Sequence, residues 1–165
     1  MKKTIKSMMK TRLSGTIPYT YQDIDSFDEI KDRFVKGVHG FCFCGDKLVV
    51  VWSDKKGYWT PPGGGVEKGE SALDALYREI KEETNMRVVK HKFIGFIEVP
   101  TVDKDKIQTR SVCIVEPYGP FVCDPDGDID RIKLIDLKDV KKYFDWGEVG
   151  DYMLERTSEI LKELN

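Results

Sequence analysis

The chain has 165 residues, 40% of them hydrophobic and 34% charged, with a formal net charge of −2 and a pI near 5.8. This size fits a single domain covering residues 1–165, which buries roughly two-thirds of its surface. The charge balance excludes a basic surface for non-specific nucleic-acid binding, and no apolar run approaches the roughly 18 residues of a membrane span. No apolar segment of a signal peptide follows Met1–Thr4, so we expect a cytoplasmic protein.

The N-terminal stretch is the least regular part of the pattern. Residues 1–12 are polar and basic, and we expect them to fray. Alternating apolar residues predict a strand over Thr16–Tyr21. The capping-box pattern of Ser26–Glu29 predicts a short helix that runs to Phe34 or Val35. About 35 residues therefore form an N-terminal extension that contains a strand.

β-rich apolar runs alternate with turn residues through most of the remaining chain. The tight turn Gly45-Asp46 predicts a hairpin between its two neighbouring runs. Predicted strands cover Val38–Cys44, Leu48–Trp52, Tyr58–Thr60, Arg87–Val99 and Ile107–Glu116, and a further strand lies around Ile132 and Leu134. A charged turn is predicted at Thr101–Lys106. The predicted helices are a short one at Leu137–Tyr143 and a C-terminal one at 148–164.

The four cysteines are Cys42, Cys44, Cys113 and Cys123. Cys42 and Cys44 lie two apart on a predicted strand and share a face, where His39 offers a third soft-metal ligand. We favour small reduced core residues, because the spacing is not that of a zinc site.

A carboxylate cluster ends the predicted helix Ser71–Thr84. The stripe that begins with apolar residues continues with Glu79, and Glu82 and Glu83 follow three and four places on. Three like charges near a helix C-terminus oppose one another and the helix dipole. A solvated helix end paired with Arg78 and Lys81 is one interpretation. The other is a divalent cation, since oxygen ligands suit Mg²⁺ or Mn²⁺.

A glycine-rich loop before this helix favours the second interpretation. Gly63, Gly64, Gly65 and Gly69 allow a ligand to approach the backbone closely, and loops that lead from a strand to a helix often hold phosphate. In the polar loop further upstream, Lys55 and Lys56 are either phosphate contacts or solvated lysines.

The combined pattern resembles the Nudix box. It runs Gly64, five residues, Glu70, seven residues, Arg78-Glu79-Ile80, one residue, Glu82-Glu83, one residue and Asn85-Met86. The family has glycine where this chain has Asn85, and asparagine is the next-best residue for a left-handed helix end.

The resemblance implies a Nudix-type α/β/α sandwich with a mixed sheet. It also implies an enzyme that hydrolyses the pyrophosphate bond of a nucleoside diphosphate linked to another moiety, using Mg²⁺ or Mn²⁺. The family's metal ligands map onto Glu79, Glu82, Glu83 and the Gly64 carbonyl, and Arg78 resembles the arginine that orients the glutamates. Glu70 resembles a helix-start glutamate with a more structural role.

Several choices stay open at this level. The general base is a box glutamate or a later acid, with Glu98 and Glu116 as candidates. Aromatic candidates for stacking a base are Trp59, Tyr58, Phe96 and Tyr118. The acidic run Asp124–Asp130 lacks the EF-hand order, so we predict a turn with exposed aspartates.

We therefore expect a pyrophosphohydrolase that acts on a small nucleotide, with no nucleic-acid or membrane partner. The alternative is a catalytically silent nucleotide-binding or sensor module, although such modules are expected to lack box glutamates. A non-hydrolytic enzyme of the fold would need more His and Cys groups. Dimers are common in this fold, and the N-terminal strand offers a surface for a homodimer, but the sequence decides neither this nor the substrate.

Overall fold

The computed structural model describes residues 2–11, 15–100 and 106–165, with nine strands and two α-helices among them. The helices are α1 at Ala72–Thr84 and α2 at Gly147–Leu164. No helix in these ranges is long and apolar enough to cross a membrane. The strands are β1 Thr4–Thr11, β2 Gly15–Asp23, β3 Phe34–Cys44, β4 Lys47–Ser53, β5 Tyr58–Thr60, β6 Gly63–Gly65, β7 Met86–Glu98, β8 Lys106–Pro117 and β9 Arg131–Ile135.

The strands form one mixed sheet. Its main order is β1-β2-β7-β8-β3-β4-β5, while β6 pairs with the first half of β3 and β9 pairs with β4. β3 and β8 are parallel, and the other pairs are antiparallel. Strand β3 therefore lies inside the sheet, between β8 and β4, and β6, the strand that precedes α1, pairs with its first half.

The two helices cover opposite faces of this sheet, because side chains alternate along each strand. Val38 and Cys42 of β3 pack with Leu76 and Ile80 of α1. Phe41 belongs instead to the core on the face covered by α2. The predicted α/β/α sandwich with a mixed sheet is confirmed.

The prediction that residues 1–12 fray is wrong for the described part of this range, residues 2–11. Strand β1 pairs with β2 along its full length, from Thr4 opposite Gln22 to Thr11 opposite Gly15. Ile5 and Met9 also pack against the core beneath α2. Pairing with a partner strand and partial burial hold a segment that lacks a strong pattern of its own.

A buried carboxylate fastens this hairpin to α2. Asp23 is fully buried and accepts hydrogen bonds from the Lys3 backbone N–H at 2.9 Å and the Tyr21 hydroxyl at 3.0 Å. From α2, the Tyr152 hydroxyl donates to the same carboxylate, and Arg156 lies 3.4 Å away. These contacts set the position of the N-terminal hairpin relative to the C-terminal helix.

Three local predictions need correction, and a fourth is not tested. The capping box at Ser26 forms, but it starts only the 3-10 turn Phe27–Ile30, because the chain enters β3 at Phe34. The short helix expected at Leu137–Tyr143 is likewise a 3-10 turn, over Leu137–Lys142. Gly63–Gly65 is the short strand β6 rather than a loop, since it hydrogen-bonds to β3. The predicted turn at Thr101–Lys106 falls outside the described residues except for Lys106, which begins β8.

The cysteine interpretation is confirmed in its main point. All four cysteines are free, and Cys42 and Cys113 are buried beneath α1. The soft-metal alternative is wrong, because His39 lines a cavity on the side of the sheet that α2 covers.

Candidate active site

Helix α1 is capped at both ends by the residues that the sequence indicates. The Ser71 side chain accepts a hydrogen bond from the Asp74 backbone N–H at 3.0 Å. The helix ends at Asn85, which adopts the left-handed conformation with φ 55°. The Asn85 side chain also donates to the Pro120 carbonyl at 3.0 Å, a contact that glycine would lack. Asn85, which stands where the family has glycine, therefore preserves the left-handed turn at the helix end.

Strand β6 lies directly against the carboxylate end of α1. A Cβ atom placed on Gly64 would lie 2.5 Å from the Glu79 carboxylate. The backbone N–H of Gly63 donates to Glu83 at 2.8 Å. The absence of side chains on β6 thus lets two glutamates reach its backbone.

Glu83 is only 5% exposed. Burial raises its pKa to about 8, and the charges of Glu79 and Asp124 act in the same direction. The Gly63 N–H and the positive charge of Lys56 oppose this rise. Without a cation, Glu83 is therefore a protonated acid over much of the neutral range.

Arg78 forms hydrogen bonds with three carboxylates around α1. Its Nη1 donates to Glu79 at 2.9 Å and to Glu82 at 3.1 Å. Its Nε and Nη2 form a bidentate pair with Glu70 at 2.8 and 3.0 Å, and Nη2 also donates to the Gly65 carbonyl at 2.9 Å. The hydrogen bonds between Arg78 and Glu70 raise the pKa of Arg78 and lower the pKa of Glu70, and the Glu79 carboxylate raises the pKa of Arg78 further.

In this arrangement Arg78 supplies the positive charge that the cluster needs. Across the described ranges, no group of three His, Cys, Asp or Glu side chains is arranged to hold a metal ion. The donor set nevertheless suits a hard divalent cation, because its ligands are oxygens: Glu79 and Glu83 reach the backbone of β6, and Glu82 shares Arg78 with Glu79. The open space at Gly64 lets Glu79 approach that backbone, so the residues present fit such an ion once Glu79 and Glu82 turn away from Arg78.

The acidic run at 124–130 borders this cluster. Burial raises the pKa of Glu79 and of Glu83, and the negative charges of Asp126 and Asp124, respectively, act in the same direction. The prediction of a turn is confirmed, since Asp124 accepts the backbone N–H groups of Asp126, Asp128 and Ile129 at 3.0–3.2 Å. Asp124 is buried rather than exposed, which corrects part of that prediction.

The two candidate bases outside the box are both held by arginines. Glu98 pairs with Arg33 at 2.5 Å, and Glu116 pairs with Arg87 at 2.6 Å.

A cavity of about 730 Å³ opens on the face of the sheet that α2 covers, opposite the face that carries α1 and its carboxylates. His39, Lys56, Tyr58, Arg110 and Trp146 contribute to its lining. Lys56 connects the two regions, because its charge acts on both Glu83 and His39. Burial, followed by Arg110 and Lys56, lowers the pKa of His39 well below its usual value, so the ring is neutral.

Sequence analysis missed Arg110 and Trp146. The one available signal for Arg110 is a charged residue in the interior of a predicted strand. Among the aromatic candidates, Tyr58 lines the cavity, Trp59 and Phe96 pack within the cores, and Tyr118 is exposed.

The raised pKa of Glu83 predicts a pH-dependent stability of the metal-free protein. Between about pH 4.5 and 8 the folded state keeps a proton that the unfolded state releases. The free energy of unfolding should therefore fall as the pH rises through this window. Glu83→Gln should reduce that slope and leave the part that the raised pKa of Glu79 contributes. Denaturant titrations in EDTA from pH 5 to about 9 measure it.

Glu155→Gln on the exposed side of α2 is the matched control. It should keep the wild-type slope. Parallel pH curves for wild type and Glu83→Gln would contradict the assignment of a buried, protonated Glu83.

Comparisons with known proteins agree with this geometry. The chain is 31% identical over 103 residues to the putative 8-oxo-dGTP diphosphatase YtkD of Bacillus subtilis, covering 62% of this chain and 60% of that protein. It is 49% identical over 37 residues to an RNA pyrophosphohydrolase of Pelagibacter ubique, covering 22% and 23%. Each match therefore covers less than two thirds of the relative's length.

The fold is similar to that of the Bacillus subtilis pyrophosphohydrolase BsRppH, with a TM-score of 0.65 at 23% identity over 96% of this chain and 98% of that one. A model of the NUDIX domain matches residues 34–157, which is more than half of the chain. Because this match covers most of the chain and agrees with the geometry of α1 and β6, the chain belongs to the NUDIX domain family.

Proposed function

We propose that the protein is a divalent-metal-dependent enzyme that hydrolyses the pyrophosphate bond of a nucleoside diphosphate linked to another moiety. One observation carries this proposal. Glu79, Glu82 and Glu83 all lie at the end of α1, beside a glycine strand that has room for the Glu79 carboxylate. A silent binding module would have no need for this complete and electrostatically costly set.

Glu79, Glu82, Glu83 and the Gly64 carbonyl would hold Mg²⁺ or Mn²⁺. When bound, such ions neutralise phosphate charge and make bound water more acidic. Both effects are needed for attack on a phosphoric anhydride.

The chain's own residues supply orientation and charge. Arg78 fixes the direction of α1 relative to β6, because it joins Glu70 and the Gly65 carbonyl. The Gly63 N–H holds one oxygen of Glu83 in place. Lys56 lies where its positive charge reaches both Glu83 and His39, so we assign it to a phosphate of the substrate.

The substrate is a nucleotide, and the names of the relatives suggest which ones to test. These relatives are a putative 8-oxo-dGTP diphosphatase and an RNA pyrophosphohydrolase. The free cysteines agree with a reducing, cytoplasmic setting.

A metal-dependent turnover screen tests the proposal. The panel contains nucleoside triphosphates, oxidised nucleotides, ADP-ribose, dinucleoside polyphosphates, nucleotide sugars and 5′-triphosphorylated RNA, with Mg²⁺ or Mn²⁺ and a coupled phosphate assay. We expect turnover of at least one class that disappears in EDTA. Folded protein that binds Mg²⁺ but hydrolyses nothing on the panel would favour the silent binding module.

A further inference from the structure

Arg110 is a buried cation without a counter-charge. Its residue is 7% exposed, and no Asp or Glu within the described ranges forms an ion pair with it. Its Nη1 donates to the Thr109 carbonyl at 3.0 Å and lies 3.5 Å from Nδ1 of His39. The Nε atom is buried and has no hydrogen-bonding partner. Burial accordingly lowers the pKa of Arg110 to about 10. The described residues therefore offer the Arg110 guanidinium fewer hydrogen-bond acceptors than it has N–H donors.

The cavity beside Arg110 has the size and character of a small-molecule pocket. At about 730 Å³ it falls within the range of roughly 300–1,000 Å³ that ligand sites occupy. Next to the guanidinium its wall is aromatic and apolar: the Trp146 ring lies 5.9 Å from Cζ of Arg110, and Ile97 and Met153 also line it. Flat rings bind well to such a wall.

The N-terminal hairpin closes one side of this cavity. Met8, Met9 and Lys10 of β1 line it, together with Tyr19 of β2. These residues lie before residue 34, where the match to the NUDIX domain begins. This wall is therefore supplied by the extension of this chain.

The sheet register sets the distance between the cavity and the box. Gly63 pairs with His39, and His39 pairs with Arg110 on the next strand. Two strand spacings place Arg110 about 10 Å from Gly63 across the sheet. A pyrophosphate group at the box and a nucleoside beside Arg110 would therefore lie about 10 Å apart along the sheet, on its two faces, and Lys56 acts on groups of both faces.

We propose that Arg110 binds the base of the nucleotide substrate and selects a 6-oxopurine such as guanine. This inference rests on the proposed function, which supplies the nucleotide class. An arginine fork only donates hydrogen bonds, and guanine presents two neighbouring acceptors, O6 and N7. Adenine presents an N6 donor beside N7, so it leaves part of the fork unpaired. The apolar wall favours a base over a second phosphate, whose sites usually hold backbone N–H groups and further cations.

Binding of nucleoside monophosphates to the full chain in EDTA tests this inference. Calorimetry is expected to show that GMP and IMP bind roughly 10-fold or more tightly than AMP. Arg110→Met should equalise the three affinities. Arg110→Lys should do the same, because an ammonium group is not a planar fork. Lys142→Met removes an equal charge at an exposed position and should keep the wild-type preference.

Stability provides a second readout. Arg110→Met replaces an unpaired buried charge, so its melting temperature should be at least that of wild type. Three results would each overturn the inference: equal affinities in wild type, a purine preference that survives in Arg110→Met, or competition by inorganic phosphate without any preference among bases. The assay needs neither metal nor turnover. A base preference without hydrolysis would therefore refute the proposed function alone, and hydrolysis without a base preference would refute only the role of Arg110.

Discussion

Glu82→Gln is expected to lower turnover by about 10³-fold or more, because each metal ligand supports several kcal/mol of charge stabilisation. The fold should persist, since glutamine keeps the shape of the side chain. Arg78 also retains its bonds to Glu70 and to the Gly65 carbonyl. Steady-state kinetics on the substrate found in the screen, together with thermal unfolding, measure both effects.

Glu83→Gln should lose activity to a similar extent while becoming more stable at high pH, for the reason given by its raised pKa. Glu155→Gln on α2 serves as the control for both and should leave turnover unchanged. Full activity in either box variant would show that the carboxylates of α1 are not the metal ligands.

Three consecutive glycines should respond differently to alanine. In Gly63→Ala the new Cβ would lie 2.1 Å from the Val38 carbonyl oxygen, a backbone atom that cannot move aside. We expect a loss of about 3 kcal/mol in stability, or roughly 6–12 °C in Tm. In Gly64→Ala the three atoms nearest the Cβ all belong to the flexible end of Glu79. The fold should survive, but displacement of that carboxylate should lower turnover about 10²-fold.

Gly65→Ala is the matched control, because the nearest atom outside its neighbours lies 4.0 Å from the added Cβ. It should be close to wild type in both stability and activity. Thermal unfolding and kinetics on the three variants distinguish a backbone role at 63 from a site role at 64. Equal losses in all three would indicate that strand β6 simply tolerates no side chain.

The sequence by itself determined the parts of this protein that local patterns control. Helix α1, its Ser71 cap and the left-handed end at Asn85 follow from short-range hydrogen bonds and residue propensities. The same holds for the hairpin around Gly45 and for the order of strands and helices that defines the sandwich. The sequence also indicated that Glu79, Glu82 and Glu83 lie close together, because helical geometry sets which residues share a face.

Only the tertiary structure decided features that depend on distant partners. Strand β1 exists because β2 pairs with it and because α2 covers its apolar residues, which no propensity of its own indicates. The raised pKa of Glu83 depends on burial between α1 and β6, and on Asp124 from a later loop. Arg110 became a candidate only when the register placed it beside His39, below Trp146 and far from any carboxylate partner in the described chain. Burial and charge environment are properties of packing, so the sequence could indicate the chemistry of the box but not the pocket beside it.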